Sequence, residues 1–397
     1  MRIRKVLLAL ALVMMLTALG LIGQTAKAQN KTFKIGVSNS FVSSEWRTQM
    51  LQNMQNVVQE LKGKGIDVQL EIESKDTDVP GQIQQIQNLL NKKVQAIIIN
   101  PGDIKGLNAT LEEAVADGVP VISIDQAIDA KGVINVVIDQ KEWAKTSMKW
   151  LAEQLGGKGN IVLIEGFVGH PANEARMAGV AEVLKDYPNI KVVGRESGKW
   201  DQATGQKVMA NFLSGSLPQI DGIWTQDGMA TGVLTALKTA NPAKWPIIVG
   251  EGRASYLQLW KEIQGTRKDF TSFGVVNPPG VATSGLRVAV ELLQGAKIAD
   301  AALSGTAKNT LLVSIPFIVD KSNFEPLYTA VKDLPASYTL DGILTQDQAK
   351  DLIAGKYKAV APTAVQSLTG AGAVSPAMSG TMAATMSAAT PAATPAK

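Results

Sequence analysis

The sequence predicts an α/β protein built as two doubly wound parallel-sheet lobes in tandem. Three features predict it. Short apolar runs alternate with amphipathic stretches along most of the 397 residues, the order expected of strands and the helices that cover them. Runs such as "AIII" and "VPVISI" are apolar at successive positions, as strands buried on both faces are. After "VINVVID" the whole alternation begins again.

Each element follows from local pattern. "TFKIGVS" reads as the first strand, and Glu45 to Leu61 places Met50, Met54, Val57, Val58 and Leu61 at helical spacing. "DVQLEIE" is a strand. "PGQIQQIQNLLNKK" is a helix with Ile83, Ile86, Leu89 and Leu90 on one face and Pro80 in its first turn. "VQAIIIN", the helix "LNATLEEAVADG" with Gly118 just past its end, and "VPVISID" complete the first round. A helix from Glu142 to Leu155 leads into the second. There "NIVLIEG", "NIKVVGRE", "IDGIWTQD", "PIIVGEG" and "FTSFGVV" are the strands, and "NEARMAGVAEVLKD", "DQATGQKVMANFL", "MATGVLTALKTA" and "SYLQLWKEIQ" the helices. Gly280 to Leu293 adds an amphipathic helix, and "TLLVSIPFIV" a last strand.

The ends of the chain read differently. Arg2, Arg4 and Lys5 precede an uncharged run from Val6 to Ile22, and "AKA" ending at Ala28 is a small-x-small cleavage site. That is a secretory signal peptide over 1–28, with an uncleaved membrane anchor as the alternative. Without the leader's four basic residues, 35 basic face 35 acidic. A chain of zero net charge lacks the basic surface that displaces counterions from nucleic acid. Cysteine is absent, so stability rests on core burial and no lipid is linked to a cysteine. The expectation is an exported, released monomer, periplasmic or extracellular. From 361 the chain is small residues with Pro, too poor in apolar surface to offset ordering entropy, so the 361–397 tail reads as disordered.

In open α/β sheets ligands gather beyond the carboxyl ends of the strands. Those positions hold Glu45-Trp46-Arg47, Asn100 to Asp103, Asp125-Gln126, Gly166 to Asn173, Trp200-Asp201, Gln226-Asp227, Glu251-Gly252-Arg253 and Val276-Asn277. The set is rich in carboxylates, amides, guanidinium and indole, which suits a polyhydroxylated ligand. Carboxylates accept from hydroxyls and Arg donates, at ~1.5–3 kcal/mol per charged hydrogen bond, while Trp covers a C–H face. A few such bonds reach micromolar affinity, about −8 kcal/mol. The plainer readings are packing for Trp46 and Trp200, a surface pair with Glu45 for Arg47, and a turn cap for Asp125. Asn100 to Asp103 reads as a strand-to-helix turn, and Trp143, Trp150, Trp224, Trp245 and Trp260 as packing.

Enzyme chemistry finds few parts. His170 is the sole histidine, with no cysteine to join it in a zinc site. Neither a G-x-S-x-G elbow nor a G-x-x-x-x-G-K-[ST] phosphate loop occurs. A glycosidase needs only two carboxylates, and Asp125 with Glu251 is the nominal pair. The expectation is a binding protein that needs no cofactor and no metal.

The order "KIGVSN…EWR", "IIINPGD", "GVPVISID", "GNIVLIEG", "EARMAGV", "WTQDGMATGVLTAL", "IIVGEG" resembles the sugar-binding branch of the type I periplasmic binding proteins, the ribose- and galactofuranose-binding members above all. The likeness runs from Phe33 to Asp320. It implies two lobes joined by a three-crossover hinge near Asp139, Asn277 and the region after Gly295. One lobe would comprise 31–139 plus about 278–300, the other 140–276 plus about 301–320, with 321–360 as an extension packed on them. It also implies a sugar or polyol in the cleft, and a membrane permease of an ABC importer, its ATPase a separate protein. A receptor-read sensory role shares the fold. Sugar-responsive repressors share it too, but here a leader stands where their DNA-reading helices would be. The resemblance adds Arg176, in "EARMAGV", to the ligand set, whose plainer reading is a solvated helix residue. That set is Glu45, Trp46, Arg47, Asp125, Gln126, Arg176, Trp200, Gln226, Glu251 and Asn277. Two departures, Asp125-Gln126 for the family's Asp-Arg and "VGEGR" for its "VGFDG", leave the identity of the sugar open.

Overall fold

A computed structural model describes residues 32–42 and 44–359. The signal peptide (1–28) and the tail (361–397) lie outside the described residues.

Strands β1 (Phe33–Asn39), β2 (Val68–Ser74), β3 (Ala96–Asn100), β4 (Val121–Ile124) and β5 (Ile134–Val137) alternate with helices α1 (Glu45–Gly63), α2 (Val79–Asn91) and α3 (Asn108–Ala116). They form a parallel sheet in the order β2-β1-β3-β4-β5. Both faces are covered, as β3 makes visible. Ile97 and Ile99 join a core with Ile86, Leu89 and Leu111, while Ala96 and Ile98 turn the other way to join Ile35, Val37 and Met50. Each such isoleucine contributes ~1.5–3 kcal/mol by burial, which is why the run tolerates no polar residue before Asn100.

The second sheet is built likewise. β6 (Lys158–Glu165), β7 (Asn189–Ser197), β8 (Gly222–Thr225), β9 (Ile247–Gly250) and β10 (Ser272–Val275) stand in the order β7-β6-β8-β9-β10. Their helices are α4 (Gln140–Gln154), α5 (Pro171–Asp186), α6 (Gln202–Ser214), α7 (Ala230–Ala240) and α8 (Ala254–Thr266). Carboxylates fix several helix starts: Asp78 accepts from Gly81 N–H, Asp139 from Glu142 N–H and Asp201 from Thr204 N–H, each satisfying an orphan donor of a first turn.

Helix α9 (Val281–Leu293) packs on α1, β3, β4 and β5. The stretch expected as one last strand is two. β11 (Thr310–Leu312) adds in parallel beside β5 in the first sheet, and β12 (Ile318–Val319) pairs antiparallel with β10 in the second. Residues 310–312 therefore belong to the first sheet, not to the second lobe as the sequence suggested. Pro316 lacks an N–H and cannot continue a ladder, so the chain leaves one sheet before it reaches the other. Helices α10 (Phe324–Val331) and α11 (Gln346–Ile353) follow.

In each sheet the strand order reverses once, between β1 and β3 and between β6 and β8. Such switch points open a crevice at the carboxyl ends of the strands, and the two crevices face each other.

Candidate functional site

Phe41, Ser44, Trp46, Arg47 and Asp125 from the first lobe meet Ala172, Arg176, Trp200, Asp227 and Gly228 from the second, with Asn277 from the crossing segment between them. The cavity they enclose is about 30 Å³, room for about two waters, so the lobes stand closed over it.

The first-lobe wall is set by the turn out of β1. Arg47 is buried and donates to Asn39 Oδ1, the last residue of that strand. Burial lowers its pKa to about 10, against the opposing pull of Asp125 and Asp76, so it is a full cation at neutral pH. Trp46 lies one residue before it, its indole N–H donating to the Asn277 carbonyl at 2.8 Å. Asp125 follows β4 with φ of 64°, a left-handed conformation that few residues other than Gly adopt. Its Oδ1 accepts from Asn277 Nδ2 at 3.2 Å and Gln140 Nε2 at 3.3 Å. Burial pushes its pKa up, and Arg47 and Arg176 oppose that rise.

The second-lobe wall centres on Arg176, 1% exposed. Its Nε donates to Gln140 Oε1 at 2.8 Å, and Nη1 donates to Gln226 Oε1 at 3.0 Å and Asp227 Oδ1 at 2.6 Å. Its guanidinium carbon lies 4.1 Å from the Trp143 ring centroid, a cation–π contact in a dry setting. Trp200 has φ of 50° and donates its indole N–H to Gln226 Oε1 at 2.8 Å. The ring packs so close to the end of β6 that a Cβ on Gly166 would lie 2.1 Å from it. Strain of this kind gathers where a side chain must be aimed.

Six of the ten sequence-predicted residues, Trp46, Arg47, Asp125, Arg176, Trp200 and Asn277, thus come together around the void. Four stand behind it. Glu45 points away to pair with Arg253 at 2.6 Å. Gln126 bridges the lobes, its Oε1 accepting from Ala172 N–H and its Nε2 lying against Asn100 and His170. Gln226 holds Arg176, Trp200 and Asn173. Glu251 is fully buried and accepts from Gly228 N–H, Thr231, Gln202 and Arg253, so it does not line the void with Asp125.

The ten-residue set drawn from the sequence left out Phe41, Asp227, Gln140 and Trp143. Asp227 adjoins Gln226, and Gln140 adjoins Asp139, so position along the chain pointed one residue away. Trp143 carried a packing signal and does pack, but under Arg176. Phe41 had no signal beyond its place after β1. It meets Phe167 edge-on at 5.0 Å across the mouth, and Trp200 lies 5.7 Å from Phe167.

The charges cancel: Arg47 and Arg176 face Asp125 and Asp227. Such a cavity offers an aromatic wall, donors and acceptors, and no surplus charge for an ionic ligand.

A family model described as periplasmic binding protein domain matches residues 35–297. The xylitol-binding protein of Mycolicibacterium smegmatis is 31% identical over 339 residues, covering 84% of this chain and 90% of that one. The ribose import binding protein RbsB of Bacillus subtilis is 29% identical, covering 55% of this chain and 70% of its own. Among solved structures, an ABC transporter solute binding protein from Thermobispora bispora superposes with a TM-score of 0.70 at 23% identity, covering 84% of this chain and 99% of that one.

Proposed function

The chain belongs to the periplasmic binding protein family, and from that premise we propose that it is an exported receptor that captures a neutral polyol or monosaccharide for a membrane importer. The balanced quartet Arg47, Arg176, Asp125 and Asp227 around one void carries this reading. Hydroxyls donate to the carboxylates and accept from the guanidinium groups, and Trp46 and Trp200 cover the C–H surface. An analogue lacking a hydroxyl leaves a buried charged group unpaired, at ~1–3 kcal/mol, which sets selectivity. The likeness to a xylitol-binding protein over most of both chains supports an open-chain polyol as first candidate. Both lobes touch the same ligand, so binding favours the closed arrangement. Delivery is to a permease whose ATPase is a separate protein.

The test is titration calorimetry with xylitol, ribitol, arabitol, ribose, allose and inositol, beside xylonate and an amino acid. A neutral polyol or sugar is expected to bind at micromolar or better, and the charged compounds not at all. Saturable binding of only a charged compound would refute the reading.

A further inference from the structure

The chain crosses between the lobes a fourth time, beyond the passages near 138–140, 276–280 and 313–317. Helix α10 packs on α8, the carbonyls of Tyr338 and Ala336 accept from Ala254 and Ser255 N–H, and Leu340 N–H donates to Gly252. All of these contacts are with the second lobe. A few residues later the partners change. Leu344 N–H approaches Ser284 Oγ, Gln346 bonds Glu291 and the Arg287 carbonyl, and α11 packs on α9, which covers the first sheet.

Asp341 sits at the crossing, 4% exposed. Its Oδ1 accepts from Gly280 N–H at 2.6 Å and Gly342 N–H at 2.8 Å, and its Oδ2 accepts from Asn53 Nδ2, with Gln49 Nε2 at 3.4 Å. Gln49 also bonds the Thr339 backbone twice, donating to its carbonyl and accepting from its N–H, each at 2.8 Å. Gln49 and Asn53 lie one and two turns along α1 from Trp46 and Arg47. Gly280 lies three residues after Asn277, whose carbonyl receives the Trp46 indole N–H. One buried carboxylate therefore ties together the two elements whose contact aims Trp46. Burying a carboxylate carries a desolvation cost that an apolar residue would not, so packing alone does not account for it.

We propose that Asp341 is a positioning residue for ligand binding, the clasp of a fourth crossing that holds Trp46 and Arg47 against the hinge. This rests on the cleft being the ligand site.

The experiment compares full-length parent, Asp341→Ala, Asp341→Asn and Leu237→Ala, the last a control destabilised on α7 in the second-lobe core, outside the hydrogen bonds of the clasp. Hydrogen exchange without ligand is followed at 45–53 and 277–281, with xylitol titration alongside. Asp341→Ala is expected to raise exchange in both segments and weaken xylitol binding at least tenfold. Leu237→Ala is expected to lower the melting temperature and leave both readouts unchanged. Asp341→Asn keeps an acceptor for Gly280, and its amide N–H can serve Asn53 Oδ1, which has no partner, so affinity stays within about threefold of the parent. Should Asp341→Ala fail to accumulate, Gln49→Met, which loses both bonds to Thr339, is expected to show the same pattern. Unchanged exchange and affinity in Asp341→Ala, or equal weakening in Leu237→Ala, overturns the clasp. If the parent binds no xylitol, the polyol reading suffers and the exchange measurement alone decides the clasp.

Discussion

Asp125 combines a buried carboxylate with a left-handed backbone, two costs that ordinary packing gives no reason to accept together. Asparagine tolerates the same backbone and keeps an oxygen for Asn277. Asp125→Asn is therefore expected to leave ligand-free stability equal or higher, since a charge whose burial is unfavourable has gone. Xylitol affinity should fall 10–100-fold, the loss of a charged hydrogen bond of ~1.5–3 kcal/mol. Calorimetry beside a melting curve checks both, and unchanged affinity would remove Asp125 from the ligand set. Gly166→Ala tests Trp200 from behind: the methyl would meet the indole, so the ring must swing and binding weaken, with a smaller tryptophan fluorescence change on titration. At this scale the sequence was legible at the carboxyl ends of strands, directly after β4 for Asp125 and in the first turn of the helix after β1 for Trp46 and Arg47. It misled by single positions. Glu45 and Trp46 are neighbours, but about 100° of helix rotation sends one to Arg253 and the other to Asn277. Gln226 and Asp227 both meet Arg176 Nη1, but only Asp227 lines the void, while Gln226 turns to Trp200 and Asn173.

Elements were easier to read than their partners. Apolar periodicity located strands and helices because burial on both faces imposes it, and alternation implied parallel sheets. Nothing in "TLLVSIPFIV" says that its two halves serve different sheets except Pro316, whose missing N–H marks the break. The extension after residue 320 carries helical pattern but no sign that it crosses the hinge, since that depends on long-range bonds such as Asp341 to Asn53. The start of α1 has a second long-range partner in Arg253, which also holds Glu251 and the Ser337 carbonyl. Glu45 is half exposed, so its pair across the lobes is worth ~0.2–1 kcal/mol. Glu45→Gln should weaken xylitol binding no more than about fivefold, and the gap from the parent should close near about 0.5 M salt, where screening is short-ranged. A larger, salt-independent loss would mean that Glu45 touches the ligand itself.

At the scale of the molecule, lobe closure gathers groups whose titration should set how stability depends on pH. Phe41 on Phe167, Gln126 on Ala172 and Glu45 on Arg253 join the lobes, and the same closure covers His170 in part and buries Asp125. Burial lowers the His170 pKa from 6.5 to about 4. The folded chain then binds this proton less readily than the unfolded one, and stability rises as pH climbs from about 4 to 6.5. Asp341 works the other way. Burial, outweighing its four donors, raises its pKa from 3.8 to about 6, so its contribution is fully present below about 4 and is lost as pH rises through 6. The upward shift of Asp125 adds to that fall. A shift of about two units at a buried site is worth up to roughly 3 kcal/mol, so the opposing slopes are comparable and the parent's melting temperature should change little between about pH 4 and 6.5. Asp341→Asn removes one falling contribution, and its melting temperature should climb over that interval. His170→Gln removes the rising one and should make it drop. Parallel profiles for all three proteins would mean that these groups titrate in the closed molecule as they do in water, and that closure does not bury them.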